Sequence, residues 1–165
     1  MLDLETLVAI VKPWAKFYSK SSPTQAVVMF THVAGMLGGG GLAIAADRAM
    51  WKARTASDDV RNRLLAEVDS IHRPVVTGLA LSAISGVLLT AADLETFVTS
   101  PIWWGKMIAF ALLLANGAWL QSMERGARKQ PGTMSSAWAK LTVSSRLSYT
   151  LWFAVALGGV LLTNS

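Results

Sequence analysis

Histidine, lysine and methionine are the residues of this chain that offer chemistry in unusual places. His32 and Lys106 both fall inside long apolar stretches. An ionisable group at the centre of a bilayer costs roughly 2.5–3.5 kcal/mol on insertion scales, so such a group points to function. Met29, His32 and Met36 stand at i, i+3 and i+7 and share one side of a helix, and Met107 enters a later apolar stretch at similar depth. Thioether with imidazole is a soft ligand set, suited to copper(I) or to a haem b iron with His/Met ligation. His32, Met29, Met36 and Met107 are therefore the candidate metal ligands. His32, Lys106, Gly35 and Gly39 are the candidate cofactor-binding residues, the glycines offering a flat face for a planar group.

Each of these residues also has a plainer reading. Lys106 reaches the interface along its own stem, His32 hydrogen-bonds a neighbouring helix, and the glycines serve close helix contact. Asp93 and Glu95 share the depth of His32 and Lys106; they either join one outward-facing polar site or are simply wet.

The second histidine, His72, invites a bis-histidine haem, and depth opposes it. About fifteen residues, roughly 22 Å, separate His32 from the inner end of its helix, where His72 begins the next apolar stretch. His72, Arg73, Asp47 and Arg48 form an inner cluster that reads as headgroup contacts. No Gly-x-Ser-x-Gly, His-Glu-x-x-His or phosphate-loop motif is present, and no catalytic residue is assigned. The chain has no cysteine, which removes disulfides, cysteine zinc sites and thiolate chemistry.

The elements that carry these residues are apolar helices. Hydrophobic residues make up 53% of the 165 and charged residues 15%, against about 25% charged in a soluble domain. No Asp, Glu, Lys or Arg occurs in 26–46, 74–92 or 147–163, and 102–120 carries only Lys106. Each segment is near the ~20 residues that cross a bilayer core. The expected fold is an all-α membrane protein: a single domain, 1–165, formed by a four-transmembrane-helix bundle. Leu4, Leu7, Val8, Val11 and Trp14 at helical spacing behind Asp3 add an N-terminal interfacial amphipathic helix over about 3–18. Asp3 and Glu5 stand where a signal peptide would be basic, so the first span is expected to direct insertion.

Orientation follows from the basic residues. The segment 47–73 holds six and the segment 124–146 holds five; the opposite face has Lys12, Lys16 and Lys20 before the first span, none in the turn 93–101 and none after the last span. The positive-inside rule puts both basic loops in the cytoplasm and both termini outside. That explains the net charge of +5 without nucleic acid as a partner. Ser57, Asp58 and Asp59 start a cytoplasmic helix leading to the second span, with Pro74 at the join. Ser100 and Pro101 open the third span. Small residues recur at helix-contact spacing: Gly35 and Gly39, Gly41 and Ala45, then Gly78, Ser82 and Gly86.

From His32 onward the order of features resembles the membrane domain of the copper-resistance D family. The matching stretches are His32 to Gly41, Ser85-Gly86-Val87-Leu88, Trp104-Gly105-Lys106-Met107, and Arg146 to Leu162, short motifs of a resemblance that extends over about the last 140 residues. The resemblance implies copper handling at a bacterial inner membrane and gives His32 and Lys106 functional weight. Two other classes fit the residues: a non-catalytic accessory subunit that packs against partner helices or a second copy, and a small-solute transporter in which His32 and Lys106 meet an anion.

Overall fold

The computed structural model describes residues 3–129 and 134–164, and those residues contain helices and short connections with no strand. The N-terminal helix α1 spans Leu4–Lys20, capped by Asp3, whose carboxylate accepts the Thr6 amide at 2.9 Å. Ser21 then caps α2, Ser22–Gly35. A five-residue π-helical segment, Met36–Gly40, joins α2 directly to α3, Gly41–Lys52. After one 3₁₀ turn, Ala53–Thr55, the longest helix α4 covers Asp58–Ala92. The six-residue α5, Leu94–Thr99, turns the corner into α6, Pro101–Lys129, and α7 covers Met134–Leu162.

Three helices are long and apolar enough to cross a membrane: Ser22–Thr55, Asp58–Ala92 and Trp138–Leu162. α6 is as long as α7, 29 residues each, but is less apolar. Lys106, Asn116 and three tryptophans interrupt it. The side chains facing outward are those expected against lipid: Phe30, Leu37, Ile84, Val87, Ile108 and Phe153 are all more than half exposed.

The basic segments expected as loops are mostly helix. α4 begins at Asp58 and runs unbroken through Pro74, which sits inside the helix instead of dividing two. Likewise α6 continues to Lys129 and α7 starts at Met134, so the connection between them, 130–133, lies outside the described residues. The 35 residues of α4 measure roughly 52 Å at 1.5 Å each, against ~30 Å of hydrocarbon. The excess on α3, α4, α6 and α7 gathers at one end into a second core. There Met50, Leu65, Trp138 and Leu141 are almost fully buried together with Ala53 and Ala127. Arg61 fastens this end: it donates to the Ala53 and Arg54 carbonyls, pairs with Asp58 at 3.2 Å, and lies 5.3 Å above the Trp138 ring. A guanidinium on the last carbonyls of a helix complements its negative end.

Within the apolar part the helices associate through small residues, because lipid leaves no hydrophobic force to join them. α2 and the π segment lie along α4 so closely that a methyl on Gly78 would stand 2.7 Å from the Gly39 amide nitrogen and 2.8 Å from the Gly35 carbonyl oxygen. α3 packs on α7 and α6 packs along α7. Leu113, Leu151, Trp152 and Val155 form the core at that junction. Buried Asn116 and Ser144 exchange two hydrogen bonds across it, at 3.0 and 2.9 Å. The side between α4 and α6 is different. It is tied at one end by Trp103 donating to the Thr90 hydroxyl at 3.3 Å, and at the other by the Gln121–His72 contact. Between those ties the two helices stand apart.

Candidate functional site

The helical phase of α2 aims His32 at α4. Val28, His32, Gly35 and Gly39 follow the i, i+4, i+7, i+11 stripe, and of these Val28, Gly35 and Gly39 are buried. His32 Nδ1 lies 2.8 Å from the Ser82 carbonyl oxygen and 3.2 Å from the Ser85 hydroxyl. Its ring rests on Gly86, where a Cβ would come within 3.1 Å of Cε1. A carbonyl only accepts, so in the neutral ring Nδ1 carries the proton and the lone pair sits on Nε2. That bond both orients the imidazole and fixes its tautomer, the arrangement seen behind metal-ligating histidines.

Lys106 comes from α6 and lies against Gly158 and Gly159 of α7, with Cβ 3.0 Å from where a methyl on Gly158 would stand. It is within electrostatic reach of His32, and no carboxylate among the described residues pairs with it. Asp93 and Glu95 are exposed at the α4–α5 corner.

The other sequence candidates separate. Met36 and Met107 are half-buried, whereas Met29 is 45% exposed on the outer surface of α2. Gly35 and Gly39 meet α4 backbone: a methyl on Gly35 would lie 2.6 Å from the Gly78 carbonyl oxygen, and one on Gly39 2.9 Å from that of Val75. Where it faces α4 the glycine stripe is closed by backbone, while its outer edge, including Gly35 and Gly39, lines an open groove along α2 and α4. No cluster of three or more His, Cys, Asp or Glu able to hold a metal occurs among the described residues, so a site at His32 depends on thioether partners.

The inner cluster also resolves differently from its headgroup reading. Arg48 and Arg73 are exposed, but Asp47 is 3% exposed and His72 is half-buried against Gln121. His72 and the Ser82–Ser85 turn that holds His32 are ten to thirteen residues apart on α4, roughly 15–20 Å. The two histidines serve different places.

Ser82, read from the sequence as a packing residue, and Ser85, read only within the Ser85-Gly86-Val87-Leu88 stretch, are the hydrogen-bond partners of His32. Their signal was present in the sequence, since both fall on the α4 stripe with Gly78. No family model matches the chain, and neither curated proteins nor solved structures yield a match.

Proposed function

We propose that the chain is a four-span protein of copper-resistance-D-like type that handles copper(I) as cargo at an outer-half site centred on His32. In this reading α6 is the fourth crossing: its 29 residues measure roughly 43 Å, enough to span with a tilt. The membrane is a bacterial inner membrane, with the Arg61–Trp138 end in the cytoplasm and both termini outside, as the basic residues favour. α1 then lies in the outer interface. Its exposed Leu7, Ile10 and Phe17 support this, as does Trp14 bonded to the Leu88 carbonyl at the outer end of α4.

The observation that carries the proposal is the His32 ring, held by Ser82 at 2.8 Å with Nε2 directed away from its anchor. Met36 and Met107 are the thioethers suited to complete the ligand set, and Met29 is the one at the lipid side. Lys106 favours the lower oxidation state, because its repulsion on copper(II) is double that on copper(I) at equal distance. The test is elemental analysis and an absorption spectrum of protein extracted gently in detergent. One equivalent of copper without a Soret band, lost in His32→Ala, is the expected result. Metal-free, colourless protein that is indifferent to the substitution rejects it.

A second reading rests on a different observation. An open groove of about 710 Å³ runs along the outside of α2 and α4, past Phe30, Ala34, Gly38 and Leu42. A Cβ on Gly38 would meet nothing within 4 Å. A partner transmembrane helix, or a second copy of the chain, fits such a surface, and the protein would then be a non-catalytic accessory subunit. Light scattering on the purified protein separates this case: an oligomer dissolved by Gly38→Leu, with no metal bound, favours it over the copper reading.

A further inference from the structure

The gap between α4 and α6 encloses a cavity of about 320 Å³ that neither histidine reading at the outer site uses. Its outer portion is apolar, walled by Leu79, Leu113 and the ring of Trp152. Its inner portion gathers Asp47, Glu124, Gln121 and Ser148, and no lysine or arginine lines it. Asp47 is 3% exposed, and its Oδ2 has no hydrogen-bond partner among the described residues. A carboxylate oxygen taken out of water without a partner costs several kcal/mol, and a group of that kind in a lipid-embedded bundle is retained for use.

We infer that this cavity is a binding site for a small organic cation with an apolar body, its charged head against Asp47 and its body between α4 and α6. A bare metal ion is the poorer occupant, because Asp47, His72 and Glu124 do not converge as a ligand cluster. A neutral apolar molecule leaves the Asp47 oxygen as it is. A cationic head satisfies that oxygen, and the apolar body lies along Leu79, Leu113 and Trp152. The volume is at the lower end of small-molecule sites, which limits the ligand to about one ring with a short chain. Access runs sideways between α4 and α6, in the stretch between the Trp103–Thr90 and Gln121–His72 ties.

The site is independent of His32, and its test keeps the two apart. Wild-type protein in lipid nanodiscs is titrated calorimetrically with 2-phenylethylammonium and with its neutral analogue 2-phenylethanol, empty nanodiscs giving the lipid background. Saturable binding of the ammonium, about tenfold tighter than the alcohol, is expected. Asp47→Asn removes that preference and leaves the alcohol unchanged. Gly117→Leu fills the cavity from a position where a Cβ meets nothing within 4 Å, and abolishes binding of both compounds. His32→Ala changes neither. The inference is overturned if the wild type shows no saturable ammonium binding, or if binding persists undiminished in Gly117→Leu. Should Asp47→Asn fail to fold, the Gly117 variant and the alcohol comparison still decide the matter.

Discussion

Gly78→Ala adds one methyl group at the tightest point of the molecule, and its consequence can be worked from distances. The new Cβ would stand 2.7 Å from the Gly39 nitrogen and 2.8 Å from both the Gly35 carbonyl oxygen and the Gly39 Cα. All three are backbone atoms of a helix, so no side chain can rotate away. Relief to an ordinary contact of 3.4 Å requires α2 and α4 to separate by about 0.7 Å (3.4 − 2.7). The same movement takes the His32–Ser82 bond from 2.8 Å to about 3.5 Å, past the length at which it still contributes. Overpacking of this kind costs about 1–3 kcal/mol, and the lost bond adds about 0.6–1 kcal/mol in a membrane. The expected destabilisation is therefore about 2–4 kcal/mol.

The control is Gly38→Ala, the residue beside Gly39 on the partner rod, where a Cβ meets nothing within 4 Å. It should be neutral or slightly stabilising, because alanine is the better helix former. Reversible unfolding of both variants in mixed micelles with increasing sodium dodecyl sulfate measures the difference. Equal stabilities for Gly78→Ala and Gly38→Ala would refute the claim that backbone contact at this crossing holds the two helices together.

Three further outcomes follow from named contacts. Arg61→Ala removes two bonds to helix-end carbonyls and the stack on Trp138, and should loosen residues 53–65 by about 1.5–3 kcal/mol in amide exchange. The Asp58 pair adds little to that figure, since Asp58 is 68% exposed, and Arg61→Lys should not rescue the loss because it lacks the planar fork. Trp14→Phe deletes the 2.8 Å bond to Leu88 and should raise exchange of α1 amides while leaving α4 protected; parallel changes in both helices would contradict the latch. Hydrogen bonds from Thr6, its hydroxyl first and then its amide, hold the Asp3 carboxyl below the usual carboxylate range. A depressed folded value means that the cap is intact above the ordinary pKa of about 3.9 and is lost as pH falls through the lower folded value. The Thr6 amide should therefore lose protection only at strongly acid pH, and Asp3→Asn should abolish that dependence.

Charge-free length made the apolar helices legible, and cap residues located several of their starts, including Ser57, Ser100 and Asp3. The stripe of small residues on α2 was equally visible. What it meets was not, because spacing defines a face and gives no information about the neighbour opposite. Asp47 shows the same difficulty more sharply. It follows a charge-free run and precedes Arg48, so it reads as a residue at the headgroups. On a helix, adjacent positions point about 100° apart; the turn of α3 that exposes Arg48 buries Asp47 between α4 and α7. Helix ends were misjudged for a related reason. Charged residues at 58–73 and 124–129 mark departure from lipid but not departure from helix, and the inner core around Trp138 gives those turns something to pack on.

The π segment Met36–Gly40 also says something about how this chain tolerates change in length. A π turn is an α-helix holding one residue more than the regular turn accommodates. It lies between His32 and Asp47 and keeps both facing the bundle. Deleting Gly38 should let the rod close into an unbroken α-helix with both residues still in phase. A single deletion elsewhere between Val28 and Met50 would turn everything beyond it by about 100°, swinging Asp47 toward lipid. Within this helix the segment is where a codon can be lost without rewriting which faces look inward.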